Sequence, residues 1–223
     1  MTTRFDAALF DLDGTLLDTL RDLGESMNRA LATFGHPPHA IEDYRYLVGD
    51  GILVLATRAL PEGHRSPEAI EALLLEYRRD YQERWNVHTQ PYEGIPEMLR
   101  ALQAAGLKLG VLSNKPHEMT RQCVNGYLPD TRFACVFGQR DEVPRKPDPA
   151  GALEAAGAMG VKPARVLYLG DTSTDMKTAR AAGMFAVGVT WGFRPESELR
   201  ETGAHAIVHH PSEIAALIHS APP

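Results

Sequence analysis

The sequence contains little cysteine and little tryptophan, with two residues of each among 223. Cys123 and Cys135 have neither the spacing of a zinc site nor the number needed for a disulfide framework, so both kinds of small stapled domain are excluded. No apolar run reaches the roughly 18 residues that indicate a membrane span, and residues 1–6 do not resemble a secretory signal. These absences predict a cytoplasmic protein with no membrane partner.

An excess of positive charge is also lacking. The formal net charge is -6 at pH 7 and the pI is about 5.8, which argues against a nucleic-acid partner. An anionic substrate would therefore need locally placed lysine or arginine. The length allows a substantial core, as one large domain or as a domain with an insertion. It does not decide between a monomer and a homodimer.

The most informative stretch runs from Ala7 to Thr15. Ala7–Phe10 is an apolar run of the length of a buried parallel strand. Asp11 and Asp13 follow at i and i+2, a spacing that places both carboxylates on the same side of an extended segment. Open α/β sheets place their ligands at the carboxyl ends of strands. Two carboxylates there repel each other unless a cation lies nearby or one of them is protonated.

The next block, residues 16–91, predicts helices and no strand. Ser66 is a suitable N-cap for its clearest helix, and Pro67 suits the first helical position. Apolar residues then recur at three- and four-residue steps as far as Trp85. The predicted helices are residues 16–34, 41–47 and 52–60 and the one that begins at Pro67.

From residue 92 onward, predicted strands and helices alternate, which indicates a parallel, doubly wound sheet. The predicted fold class is therefore α/β, with a Rossmann-like core of residues 1–15 and 92–223 and an inserted helical cap of residues 16–91. The strands predicted for this core after Ala7–Phe10 are residues 107–112, 132–137, 165–169, 185–189 and 206–208.

Four polar groups follow successive predicted strands. Each alone has an ordinary structural explanation, such as a turn, a helix cap or a solvated charge. Together, at one edge of a parallel sheet, they predict an acidic site with a basic rim. The groups are Asp11 with Asp13, Ser113 with Asn114 and Lys115, Arg145 with Lys146, and Asp171 with Asp175.

This set of side chains suits metal-assisted phosphoryl transfer. Carboxylate oxygens are the ligands that Mg²⁺ prefers, and lysine and the metal can neutralise a transferring phosphoryl group. A carboxylate can attack phosphorus to form an aspartyl-phosphate, while a second one transfers protons.

The four groups resemble, in order and spacing, the four motifs of the haloacid dehalogenase-like (HAD) phosphatases. The resemblance covers essentially the whole chain and implies that Asp11 is the nucleophile and Asp13 the general acid/base. It implies that Ser113, Asn114 and Lys146 bind the phosphoryl group. The implied Mg²⁺ ligands are Asp11, the backbone carbonyl of Asp13, and Asp171, with Asp175 in support.

Within the family, the sequence is most similar to bacterial phosphoglycolate phosphatases, which implies 2-phosphoglycolate, a small phosphorylated metabolite, as the substrate. Asp13 argues against haloalkanoic acid dehalogenases, and the absence of lysine from residues 16–91 removes the imine chemistry of phosphonoacetaldehyde hydrolases. The alternatives that stay open are phosphatases of sugar phosphates or nucleotides, pyrophosphatases, and a β-phosphoglucomutase-like mutase. A binding module without activity is a further alternative, although all the motif residues are present.

The cap is expected to set the choice of substrate. The loop Gly49-Asp50-Gly51 is expected to face the catalytic edge, because glycine permits close approach of the backbone. Arg45 or Arg58 can pair with a substrate carboxylate. The ordinary alternative is a helix–helix turn with surface arginines.

Overall fold

The computed structural model describes residues 4–219, and the chain divides into two compact units. The first unit comprises Met1–Leu17 and Pro91–Pro223, and the second comprises Asp18–Gln90. Residues 1–3 and 220–223 of the predicted core lie outside the described residues, as does the start of the segment tested above for a secretory signal. No helix within residues 4–219 is long and apolar enough to cross a membrane.

The first unit is built on a six-stranded sheet in which every neighbouring pair of strands is parallel. The predicted parallel α/β fold is confirmed. The eight strands within residues 4–219 are β1 (Ala7–Phe10), β2 (Leu17–Asp18), β3 (Gln90–Pro91), β4 (Lys108–Pro116), β5 (Phe133–Gln139), β6 (Val166–Gly170), β7 (Phe185–Val189) and β8 (Ala206–Val208).

The order of strands in the large sheet is β5-β4-β1-β6-β7-β8. All residues of β1 and β6 are buried, as expected for strands covered by helices on both faces. The order reverses between β1 and β6, and in open α/β sheets ligands bind in the crevice at such a reversal. Asp11 and Asp171 come directly after these two strands.

Helices cover this sheet, and the one before β6 packs through small residues. Ala152, Ala155 and Ala156 are buried in a cluster with residues of the central strands. The helices of the first unit are α5 (Ile95–Ala104), α6 (His117–Tyr127), α7 (Ala150–Met159), α8 (Ser173–Ala181), α9 (Glu196–Glu201) and α10 (Ile214–His219), and those of the second unit are α1 (Leu20–Thr33), α2 (Tyr44–Leu47), α3 (Ile52–Ala59) and α4 (Pro67–Arg84).

The helix predicted to begin at Leu16 begins at Leu20 instead, and the prediction of no strand between Thr15 and Pro91 is wrong. The amides of Leu16 and Leu17 both donate to the Leu12 carbonyl, at 3.0 Å each, which closes a tight turn after β1. The chain is then extended in β2, which pairs with β3. The apolar residues Leu16 and Leu17 suggested the buried face of a helix, but they are buried in this turn instead.

The second unit is helical apart from its ends. As predicted, α4 begins at Pro67, and the Ser66 hydroxyl accepts a hydrogen bond from the Ala69 amide at 3.2 Å. Asp22, which is buried in α1, accepts hydrogen bonds from the amides of His88 and Thr89 and from the Thr89 hydroxyl, at 2.7 to 3.0 Å. These bonds fix the returning chain against α1.

Candidate active site

Three aspartates form a buried cluster beyond the carboxyl ends of β1 and β6. Asp11, Asp171 and Asp175 each offer a carboxylate oxygen, and these oxygens lie within 4.8 Å of one another. Asp11 follows β1, and its amide donates to the Leu169 carbonyl of β6 at 3.0 Å. Asp175 lies in the first turn of α8, where a negative charge is favoured by the helix dipole.

Lys146 supplies the positive charge of this cluster. Its Nζ lies 2.9 Å from Oδ1 of Asp11 and 2.7 Å from Oδ1 of Asp175. The Lys146 side chain is only 3% exposed, so water contributes little to its solvation. The Asn114 side chain fixes the backbone beside it, since the Lys146 amide donates to Asn114 Oδ1 at 2.9 Å and Asn114 Nδ2 donates to the Lys146 carbonyl at 3.1 Å.

The crowding and burial of the cluster oppose full ionisation of its carboxyl groups. Burial, opposed by Lys146 and reinforced by the charge of Asp175, raises the pKa of Asp11 to about 7. Burial likewise raises the pKa of Asp171 well above its usual value. Burial alone would lower the pKa of Lys146, but the carboxylates of Asp11 and Asp175 raise it well above the usual value, so the ammonium keeps its proton. One ammonium cannot balance three carboxylates.

A divalent cation would supply the positive charge needed for all three carboxyl groups to be ionised. The donors are all carboxylate oxygens, the hard ligands that Mg²⁺ and similar cations prefer. Oδ1 of Asp11 is buried and, apart from its charge contact with Lys146, has no hydrogen-bond partner among residues 4–219. Oδ2 of Asp175, in contrast, accepts from the amide and the hydroxyl of Thr172, at 3.1 and 2.8 Å. Oδ1 of Asp11 thus has lone pairs available to a cation, whereas Oδ2 of Asp175 is occupied by Thr172.

The Asp13 carboxylate is separate from the cluster. Lys115 Nζ donates to its Oδ1 at 3.0 Å, and the Lys115 side chain is 4% exposed. The predicted metal role of Asp13 runs through its backbone carbonyl, and it stays a prediction. Sequence reasoning placed Lys115 at the strand end but assigned it no role.

Ser113 is buried in β4 together with Asn114. Its Oγ accepts a hydrogen bond from the Lys115 amide at 3.2 Å. The contact between Asn114 and the Lys146 backbone makes it a positioning residue for Lys146, while its predicted contact with phosphate stays untested.

Two contacts to Asp171 were missed by sequence reasoning. The Thr15 hydroxyl donates to Oδ1 of Asp171 at 2.9 Å, and the Phe193 amide donates to Oδ2 at 2.9 Å. Phe193 lies shortly after β7. Examining the residues that follow this strand, as was done for the other four, would have identified this segment.

The residues predicted to set specificity lie in the second unit. Gly49 and Gly51 have positive φ, at 114° and 92°, in the loop between α2 and α3. Asp50 of this loop pairs with Arg58, whose Nη2 lies 2.7 Å from Oδ2, and Arg58 Nη1 donates to the Leu47 carbonyl at 3.3 Å. Arg45 is exposed on α2. Arg58 thus braces the loop, and the predicted contact of Arg45 with a substrate carboxylate stays a prediction.

Comparison with known proteins identifies the relatives of this chain. The model of the haloacid dehalogenase-like hydrolase family matches residues 8–189. An N-acetylmuramic acid 6-phosphate phosphatase of Pseudomonas aeruginosa is 38% identical over 215 residues, which cover 95% of this chain and 93% of the relative. A phosphoglycolate phosphatase of Thiobacillus denitrificans is 30% identical over 215 residues, covering 95% of each chain.

Solved structures agree with these relatives. A candidate phosphoglycolate phosphatase from Lactobacillus delbrueckii subsp. bulgaricus superposes with a TM-score of 0.92 at 30% identity, covering 97% of this chain and 99% of that chain.

Proposed function

The chain belongs to the haloacid dehalogenase-like hydrolase family and is a phosphatase, and from this premise we propose that it hydrolyses small phosphomonoesters with Mg²⁺ through an aspartyl-phosphate on Asp11. The observation that carries this proposal is the difference between its two motif-one carboxylates. Asp11 is buried beside Lys146 and Asp171, whereas Asp13 is paired separately with Lys115. This difference supports an attacking role for Asp11 and a proton-transfer role for Asp13.

In the first proposed step, a carboxylate oxygen of Asp11 attacks phosphorus and the ester oxygen leaves. Asp13 gives its proton to that oxygen, so the product departs as a neutral alcohol. In the second step, Asp13 removes a proton from water, the water oxygen attacks the same phosphorus, and the bond to Asp11 breaks. Inorganic phosphate leaves, and both aspartates return to their starting states.

Ser113 and Lys146 are proposed to bind the phosphoryl group, with Asn114 fixing the position of Lys146. We assign Asp11, Asp171 and the backbone carbonyl of Asp13 to Mg²⁺, with Asp175 holding Lys146 and the surrounding backbone. When bound, the metal would neutralise charge on the transferring phosphoryl group as a Lewis acid.

The first candidate substrate is 2-phosphoglycolate. It is supported by the motif resemblance and by several relatives with that activity in their names, at 30 to 34% identity. The second candidate is N-acetylmuramic acid 6-phosphate, and the observation that favours it is the 38% identity to the Pseudomonas aeruginosa phosphatase. Both compounds are phosphate esters of a primary alcohol that also carry a carboxylate.

The experiment is phosphate release from a panel of esters, with Mg²⁺ and with a chelator. Each candidate is paired with an analogue that lacks its carboxylate: ethyl phosphate for 2-phosphoglycolate, and N-acetylglucosamine 6-phosphate for the muramic acid ester. We expect metal-dependent release and a kcat/KM at least about tenfold higher for the preferred candidate than for its analogue. The panel also contains β-glucose 1-phosphate, a nucleoside monophosphate and pyrophosphate.

Each other outcome would change a specific part of the proposal. Release that survives the chelator would refute the metal requirement. Equal rates on a candidate and its analogue would refute recognition of the carboxylate but not the chemistry at Asp11. Conversion of β-glucose 1-phosphate to another sugar phosphate without net phosphate release would replace the phosphatase with a mutase.

A further inference from the structure

The segment after β7, residues 190–193, contributes no carboxylate to the site but contacts both motif-one backbone and Asp171. The indole Nε1 of Trp191 donates to the Thr15 carbonyl at 2.9 Å. Two residues later, the Phe193 amide donates to Oδ2 of Asp171 at 2.9 Å. We name residues 190–193 the β7 loop.

These contacts connect the β7 loop, Thr15 and Asp171 to one another. The Thr15 hydroxyl donates to Oδ1 of Asp171 at 2.9 Å, so each carboxylate oxygen of Asp171 receives a hydrogen bond from a different segment. Trp191 binds the carbonyl of the same threonine whose hydroxyl binds Asp171. The indole therefore fixes the backbone from which the Thr15 hydroxyl is directed.

Close packing restricts the movement of the backbone segments that contact Asp171. A Cβ added at Gly192 would lie 2.3 Å from the Asp171 Cβ and 2.3 Å from the Gly14 carbonyl oxygen. Gly14 has a φ of +88°, and a Cβ there would lie 2.3 Å from Oδ2 of Asp171. Two backbone segments thus pack directly on one carboxylate, and a shift of either one would move it.

We propose that Trp191 is a positioning residue for Asp171, that it acts through Thr15, and that it thereby sets the affinity of the site for its divalent cation. The inference rests on the proposed function in one respect, the assignment of Asp171 to the metal. Residues that orient metal ligands typically change metal affinity by 10–100-fold when they are removed. Trp191 lies one contact further out, so a smaller effect is expected.

The test is calorimetric titration of the substrate-free protein with Mn²⁺ and Mg²⁺. In Trp191→Phe, which keeps an aromatic ring and removes the N–H, we expect the metal Kd to rise about fivefold to twentyfold. The KM for substrate, and kcat at saturating metal, should stay within about twofold. The matched control is Trp85→Phe, which changes the other tryptophan of the chain, in the second unit, and should leave the metal Kd unchanged.

A second pair of variants separates positioning from general damage. Thr15→Val removes the hydroxyl that Asp171 accepts and should raise the metal Kd, whereas Thr15→Ser should bind metal as the wild type does. If Trp191 acts through Thr15, then Trp191→Phe added to Thr15→Val should cause little further loss. If Trp191 had only a structural role, the two substitutions would have additive effects on the metal Kd, and Trp191→Phe would lower the Tm.

The inference is overturned if Trp191→Phe binds metal as tightly as the wild type, or if its effect is unchanged in the Thr15→Val background. Wild-type protein that binds no metal would instead refute the metal assignment of the proposed function. Wild-type protein that binds metal but releases no phosphate from any ester would refute the proposed reaction, and the positioning role would still be decided by the titrations.

Discussion

In the first unit, the side chains of Asp11, Lys146, Asp171 and Asp175 are buried within a few ångströms of one another, with three carboxyl groups around one ammonium. In the second unit, the ion pairs of Arg58 with Asp50 and of Arg29 with Asp80 leave guanidinium groups that are 38% and 39% exposed.

The two arrangements have different energetic consequences. Exposed ion pairs contribute about 0 to 1 kcal/mol each, because solvent screens them and two long side chains must be ordered. Burying an unbalanced set of charges costs free energy, and such clusters are typical of functional sites. Holding the site therefore costs the first unit stability, whereas ion pairs in the second unit mainly brace its helices and loop.

Removing the buried ammonium of the aspartate cluster should have the largest effect on stability. In Lys146→Met, the three aspartates lose their balancing charge, so we expect a loss of about 3 kcal/mol in the free energy of unfolding without metal and a fall in kcat of about 100-fold or more. Urea denaturation and phosphate release measure these effects. The matched control is Lys162→Met, since Lys162 is exposed in the same unit, and it should change stability by less than about 0.5 kcal/mol.

Saturating Mg²⁺ should restore part of the stability lost in Lys146→Met, because a cation then balances the carboxylates. If both lysine variants have the same stability, the three aspartates are not under electrostatic strain and the comparison between the two units fails.

Replacing the buried carboxylate of Asp22 in the second unit should have the next largest effect on stability. Asp22 is balanced by hydrogen bonds from His88 and Thr89 rather than by a cation, and Asp22→Asn turns an amide toward those donors. We expect a loss of about 2 kcal/mol in the free energy of unfolding. Asp43→Asn, at an exposed position of the same unit, should be nearly neutral. A neutral Asp22→Asn would mean that the returning chain is held mainly by apolar packing.

The two arginines near the Gly49-Asp50-Gly51 loop should separate binding from bracing. Arg45→Ala is expected to raise the KM for the carboxylate-bearing ester about tenfold, by the loss of a charged hydrogen bond, and to leave the KM for its carboxylate-free analogue unchanged. Arg58→Ala should lower stability by less than about 1 kcal/mol, since its pair with Asp50 is half-exposed. An unchanged KM in Arg45→Ala refutes the carboxylate contact for that residue.

The smallest expected effect is the contribution of the Arg29–Asp80 pair to the pH dependence of stability. Burial alone would raise the pKa of Asp80, but the hydrogen bonds and charge of Arg29 hold it below 3.8. A lowered folded-state pKa means that the pair stabilises the protein above about pH 4 and loses this contribution as the pH falls through the folded-state pKa. Between about pH 5 and about pH 3, the wild type should therefore lose more stability than Asp80→Asn, by less than about 1 kcal/mol. Equal losses would show that Arg29 does not favour the charged form of Asp80.

Local patterns were sufficient for the strands of the sheet, because apolar runs such as Ala7–Phe10 and Val166–Gly170 are buried on both faces. They also located the polar residues at the strand ends, because the carboxyl ends of parallel strands share one edge. They failed at Leu17–Asp18, where a buried turn has the same apolar spacing as a helix, and they missed the short helix Glu196–Glu201.

The contacts among site residues were beyond sequence reasoning for a different reason. Thr15 lies 156 residues from Asp171 in the chain, and Lys115 lies 102 residues from Asp13. No periodicity connects such residues, so their pairing depends on side-chain directions that only the folded chain defines. Asn114 illustrates the point: the family resemblance implied a contact with phosphate, which stays a prediction, and the contact of its amide with the Lys146 backbone was not foreseen.

Asp11 is proposed to carry the phosphoryl group during the reaction. The reaction of Asp13→Asn with p-nitrophenyl phosphate and Mg²⁺ tests this role directly. Nitrophenol leaves without protonation, so the first step survives the substitution while hydrolysis of the intermediate loses its base. We predict a burst of nitrophenol stoichiometric with enzyme, and a phosphoryl mass increment on the Asp11 peptide after acid quench that is absent from the double variant with Asp11→Asn. Turnover by Asp11→Asn at the wild-type rate, or a phosphoryl group on a different residue, would contradict the account.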